Sequence, residues 1–291
     1  MPANHQTIDC ADLDHFWEVL SPIGATFGKR EDAFLFRGQS DSAWQLIPRV
    51  YRLDVIEKLK RGMLATLKDH PGQSFFEWIL LKSFVYYCDQ TGLAVANDSP
   101  DFRDAFSQNK IANLISIRNT AWPPDWVMPL MAMAQHHGVP TRLLDWSSRP
   151  YVAAYFAAAT AINEVSDASR RLAVFAFDLL HVRSVEGIRH VKVPGSTSAN
   201  LAVQGGSFLL VDNTGYRGDS FTSDVSLESK LPVGSSVLTK ITLPQSFAGA
   251  LLLRCEKFGV NAASVFPGYD GVGRAVLESQ TAFNFELETW R

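Results

Sequence analysis

Apolar residues recur at three-to-four spacing through most of residues 54 to 140, and short apolar runs dominate from 171 onward. Four stretches in the first region predict helices: "VIEKLKRGMLATLK", "SFFEWILLKSFVYYCDQTG", "PDFRDAFSQ" and "WVMPLMAMAQHHG". Gly or Pro lies between or just beyond them, as helix boundaries require. Upstream, "TIDCADLDHFWEVLSPIG" predicts a helix capped by Asp9 or Asp12 and ending near Gly24. The run "DAFLFRGQS" (32–40) has the form of a buried strand stopped by Gly38, and "WQLIPRVYR" that of an irregular connector. "YVAAYFAAATAI" (151–162) is apolar on every side and predicts a buried helix. Strands are expected at 171–179, 200–212 and 236–244. "AGALLLRCEKFGV" reads as a helix, "FPGYDGVGRAVLE" as a turn feeding another, and "FELETW" (285–290) as a solvated final strand. The Ser-, Asp- and Gly-rich stretch 218–236 reads as a mobile loop.

Helices therefore come early and strands late, without strict alternation. This predicts an α+β fold with a mixed or antiparallel sheet rather than a doubly wound α/β fold. The expected organisation is one domain over 1–291, with a mostly helical insertion at about 54–135 after the first core strand.

Composition narrows the function classes. Hydrophobic content of 46% and charged content of 20% are those of a globular chain. The net charge of -3 leaves no broad basic surface for nonspecific nucleic-acid binding. The three cysteines, Cys10, Cys88 and Cys255, are odd in number and widely spaced, which argues against a disulfide framework or a Cys-based zinc site. "MPANHQTIDCADLDHF" lacks the pattern of a signal peptide, and the apolar run 151–162 falls short of the roughly 20 residues that span a bilayer. A cytoplasmic protein without membrane partners is the expectation.

Three polar blocks stand out. In the first, Arg37 ends an apolar run and is followed by Gly38. That sets a rigid five-donor fork beside a backbone open to close approach, which suits a phosphate or carboxylate. The second block, "MAQHHGVPTRLLDWSSRPYVAAYFAA", holds His136, Arg142, Asp145, Trp146 and Ser147 just before a buried helix. Each has a structural alternative. Arg37 can pair with Asp145, Asp145 with Arg142, either histidine can close a helix C-terminus, and Ser147 or Ser148 can cap the next helix ahead of Pro150. The adjacent histidines, with no HxxxH or nearby Cys, give no metal site. In the third block, "VQGGSFLL", Gln204 precedes two glycines, the mark of a bulge, a tight bend or a ligand against the backbone. "GYRGDSF" (215–221) and "STS" (196–198) imitate functional motifs but sit in polar loops, and there is no GxGxxG, GxxxxGKS, GxSxG or HExxH.

"FLFRGQS", "WQLIPRVYR", "AQHHGVPTRLLDWSSRPYVAAYFA", "NLAVQGGSF" and "FGVNAASVFPGYDGVGR", taken in order from Phe36 to Arg274, resemble the FRG-domain family. That family is widespread in bacteria and phages, often without an assigned activity. More distantly, the order of an Arg-Gly strand, a hydroxyl residue leading into a helix and a polar position on a third strand resembles the ADP-ribosyltransferase fold. The resemblance implies an NAD-consuming transferase, in a toxin or phage-defence setting, acting on an unknown macromolecular acceptor. Arg37 would match the Arg of its Arg-Ser-Glu set and Ser147 the Ser. The position of the Glu holds Gln204, with Asp145 or Glu278 as substitutes. NAD would lie along Phe36, Arg37, Gly38 and Gln39, with Arg142 nearby and Trp146 or Tyr155 stacked on nicotinamide. Asp145 or His136 would orient or deprotonate the acceptor. A noncatalytic nucleotide- or partner-binding module is the alternative reading. A metal-independent nuclease using His136, Asp145 and Arg37 is the third. Arg37, His136, Asp145 and Ser147 are expected to approach one another in space, as a shared site requires.

Overall fold

The computed structural model describes residues 4–28, 33–63, 72–117, 122–164, 169–193, 199–213 and 222–289. Its strands are β1 (Gln6–Asp9), β2 (Phe34–Gln39), β3 (Leu143–Ser147), β4 (Arg171–Asp178), β5 (Ile188–Val191), β6 (Gly206–Val211) and β7 (Leu238–Pro244). They form an open sheet in the order β1-β7-β4-β2-β3-β6-β5. The β1–β7 pair is parallel and the other pairs are antiparallel. The predicted α+β class with a mixed sheet holds.

The helices are α1 (Leu13–Leu20), α2 (Leu53–Met63), α3 (Gln73–Thr91), α4 (Pro100–Ala105), α5 (Gln108–Ile117), α6 (Met128–His136), α7 (Pro150–Ala161), α8 (Ala199–Val203), α9 (Ala248–Lys257), α10 (Ala262–Val265) and α11 (Tyr269–Thr289). Helices α2 to α6 fall between β2 and β3, where the helical periodicity put them. On one face of the sheet α7 packs with α1 and α9 over Phe36, Val174 and Ile241. On the other face Leu35, Trp146, Phe175 and Phe177 meet Leu46, Tyr51 and Leu227. A further apolar cluster joins α3, α5 and α6 to Leu143, Phe208 and Leu210.

The structure corrects several expectations. Residues 6–9 pair with β7 as a strand, so the first helix begins at Leu13, with the Asp12 side chain accepting the His15 N–H at 2.9 Å, and stops at Leu20. Four mostly exposed residues carry too little periodicity to announce a strand. Residues 200–212 are not one strand. They begin in α8, turn at Gly205 with φ 58°, and enter β6 at Gly206. A Cβ at Gly206 would meet the Leu201 side chain at 2.4 Å, so the second glycine lets helix and strand fold back on each other. Residues 285–289 of "FELETW" continue α11 rather than forming a strand, with Trp290 outside the described residues, and Glu286 accepts the Ala250 N–H of α9 at 2.7 Å. Of the loop expected at 218–236, residues 218–221 lie outside the described residues. The remainder is anchored, not loose: Leu227 and Leu231 are buried, and the Glu228 carboxylate accepts the Leu46 N–H at 3.0 and 3.1 Å. The "GYRGDSF" and "STS" stretches lie outside the described residues. No helix among the described residues is long and apolar enough to cross a membrane.

Candidate functional site

Strands β2 and β3 share one registered pair, Phe36 with Ser147. Beyond it the two strands diverge, which leaves facing backbone groups to be satisfied by side chains. Arg37 does this: its Nη1 donates to the Asp145 carbonyl at 2.6 Å and lies 3.9 Å from the Asp145 carboxylate. The expected ion pair between Arg37 and Asp145 is thus only partly what forms; the shorter contact is to the main chain.

A cavity of about 460 Å³ opens at this split. Arg37, His136, Asp145, Ser147 and Gln204 all line it, from β2, α6, β3 and the turn after α8. The expected convergence is present. Phe36, Gly38 and Trp146 line it as well.

The residues differ in how free they are to act. The Arg37 side chain is 19% exposed and its Nε is buried without a protein partner. Burial draws its guanidinium below the ordinary value, opposed by Asp145, but an arginine remains a cation at neutral pH. Asp145 is 67% exposed and is the one carboxylate among the described residues lining the cavity. His136 is held below the ordinary histidine value by burial and by neighbouring His137, with Asp145 opposing them, which leaves the imidazole neutral at pH 7. The Ser147 hydroxyl is committed: it donates to the Gln204 carbonyl at 2.6 Å and accepts the Arg149 N–H at 2.9 Å. Ser147 therefore fixes the entry to α7 and ties β3 to the Gln204 turn, with Arg149 as the N-terminal boundary residue and Pro150 in the first turn. The Gln204 amide donates to the Val265 carbonyl at 3.1 Å.

Four predicted binding residues are placed differently. Arg142 is 1% exposed and forks onto Glu77 of α3 at 2.7 and 3.0 Å, so it fastens the helical segment to the sheet and does not reach the cavity. Tyr155 is buried, donating to Glu278 at 2.8 Å. The Trp146 ring packs with Leu35 and Phe177 on the opposite face from Asp145 and Ser147, because side chains alternate along a strand. Gln39 is buried, with its amide 3.5 Å from the Gln45 carbonyl, and does not line the cavity. Glu278, held by Tyr155 and Arg274, is likewise no part of the lining.

Gly38 has a different reason from the one expected. A Cβ there would sit 1.9 Å from the Ala153 carbonyl oxygen and 2.7 Å from the Ala157 nitrogen. The space beside Gly38 is filled by the α7 backbone, and the alanines of α7 exist to let it come that close.

The sequence reading missed Gln135, Phe156 and Phe266. Gln135 donates to the Asp145 carboxylate at 2.7 Å while accepting the Thr141 hydroxyl. Its amide is thereby oriented, and it holds Asp145 at the cavity. Phe156 and Phe266 give the cavity an aromatic wall, their rings 5.9 Å apart and nearly perpendicular. Phe266 lies far along the chain, so only folding reveals it. Gln135 sits inside the "AQHHG" stretch, next to a residue already singled out.

Residues 32–165 match the family model described as the FRG domain. This chain carries an FRG domain. The match runs from the segment before β2 to just past α7, so it contains Arg37, Gln135, His136, Asp145 and Ser147. Gln204 and Phe266 come from outside it, so the FRG segment supplies most of the cavity and the following strands and helices complete it. No curated protein and no solved structure matches the chain.

Proposed function

We propose that the cavity beside the FRG motif binds NAD and that the protein is an NAD-consuming, ADP-ribosyltransferase-like enzyme. The observation that carries this reading is the gathering of Arg37, Ser147 and Gln204 around one cavity at the point where β2 and β3 part. These are the three elements, in chain order, on which the resemblance rests. The cavity volume lies within the range of small-molecule and cofactor sites. Arg37 brings a fixed positive fork to the cavity wall, of the kind suited to a phosphate oxygen. Phe156 and Phe266 replace Trp146 and Tyr155 as the surfaces against which a flat ring can pack.

In the proposed reaction the bond between the nicotinamide nitrogen and the ribose anomeric carbon breaks, and its electron pair leaves on nicotinamide. Asp145 faces the developing oxocarbenium charge, since Gln204 can donate a hydrogen bond but supplies no charge. The acceptor's nucleophilic atom bonds to the anomeric carbon and its proton passes to neutral His136. Glu278 has no part, being engaged by Tyr155 and Arg274 away from the cavity.

The test is nicotinamide release from NAD by purified protein, with Arg37→Ala alongside. Release that drops about 100-fold in the variant, the scale of a lost positioning contact, supports the reading. NAD binding without release turns it into the binding-module reading. Absence of both removes it, and cleavage of RNA or DNA without NAD establishes the nuclease instead.

A further inference from the structure

We infer that the outer face of α11 is a self-association surface, on which a second copy of this chain packs its own α11 antiparallel. At a helical period, positions 269, 272, 273, 276, 277, 280, 283, 284 and 287 share one face. They read Tyr, Val, Gly, Val, Leu, Gln, Phe, Asn and Leu, and every one is exposed. A face this long without a charged residue is unusual where 20% of residues are charged. The opposite side of the same helix is already used, with Glu278 and Ala282 buried and Glu286 bonded to α9.

Area favours a protein partner. Tyr269 is 96% exposed, and Val272, Val276, Leu277, Phe283 and Leu287 are between 51% and 70% exposed. The two aromatics alone present roughly 200–350 Å². The four aliphatic side chains bring the patch towards the ~800 Å² per partner of a standard interface. Isolated apolar patches on monomers are commonly smaller and need no such continuity.

Charge and shape favour a second copy over a lipid surface. A helix that lies on a membrane carries Lys and Arg along its polar side. Here Arg274 is set against Asp270, Glu278 and Glu286, so anionic headgroups would be repelled. An uncharged stripe, by contrast, can meet its own copy without placing like charges together. A two-fold axis level with residue 278 sets Tyr269 of one copy against Leu287 of the other, Val276 against Gln280, and Gly273 against Phe283. Gly273 has open space where a Cβ would point, so nothing inside the chain requires glycine there. Glycine within a helix costs about 1 kcal/mol relative to alanine. A notch for the other copy's Phe283 accounts for that cost.

Sedimentation equilibrium of the full chain over a range of concentrations tests the inference. The expected result is a concentration-dependent dimer that is lost in Phe283→Glu, with the far-ultraviolet circular dichroism unchanged. Gly273→Leu should keep the fold and weaken the dimer. If Phe283→Glu disturbs the fold, Val276→Lys, at a more exposed position, reads the same contact. A monomer at every concentration would overturn the inference. So would a dimer whose dissociation constant does not respond to these substitutions, or a monomer that floats with phosphatidylcholine vesicles.

Discussion

Gly38→Ala tests the closest approach in the molecule. The added methyl would lie 1.9 Å from the Ala153 carbonyl oxygen and 2.7 Å from the Ala157 nitrogen. Both are main-chain atoms of α7, so neither can rotate aside. Restoring ordinary contact at ~3.5 Å requires α7 to move off β2 by more than ~1 Å. There is little room, because α7 is buried along most of its length with α9 and the sheet around it. Overpacking of this kind costs ~1–3 kcal/mol, and contacts with backbone place this site at the upper end, about 3 kcal/mol. At roughly 2–4 °C per kcal/mol for chains of comparable size, Tm should fall by about 6–12 °C. Thermal unfolding followed by circular dichroism reads this directly. The sign is discriminating: where space allows, Gly→Ala stabilises by ~0.4–1 kcal/mol through the unfolded chain. A Tm equal to or above that of the wild type would refute the packing argument.

Other substitutions probe separate links. Arg142→Leu strands the buried Glu77 carboxylate and should cost about 3–5 kcal/mol in urea unfolding, with part of the loss recovered in the double variant Arg142→Leu/Glu77→Gln. Gln135→Ala releases Asp145 from its 2.7 Å contact and should slow nicotinamide release about tenfold while NAD affinity stays nearly constant, a split that separate kcat and KM values would show. His5, His136 and His190 are each held below the ordinary 6.5 by burial, so each binds fewer protons folded than unfolded. Their contribution to stability is complete above pH 6.5 and declines as pH falls through that value and below. The fall in Tm between pH 7.5 and 5.5 should therefore be smaller in His190→Gln than in the wild type, measured by calorimetry.

The sequence by itself determined the α+β class, the helical segment between two strands and most of the cavity's polar residues. These are local matters. Periodicity of 3.6 marks α3 and α6, an apolar run stopped by Arg-Gly marks β2, and the density of polar groups before α7 marks a wall. Tertiary structure decided what each polar residue does. Arg142 and Arg37 look alike in sequence, yet one is buried on Glu77 and the other bridges a split in the sheet, because only the fold sets which acid or carbonyl lies opposite. Trp146 and Asp145 are neighbours in sequence but their side chains face opposite sides of β3, so the Trp146 ring packs into the core although the residue borders the cavity, while the Asp145 side chain is exposed. Gln204 sits in a turn rather than a strand because Gly205 takes a positive φ that a run of letters does not display. The four residues of β1 carry no periodic signal and become a strand only through pairing with β7, more than two hundred residues away. The start of α11 was readable as helix but its end was read as a strand, and its exposure was not readable at all, since burial depends on what the rest of the chain leaves uncovered.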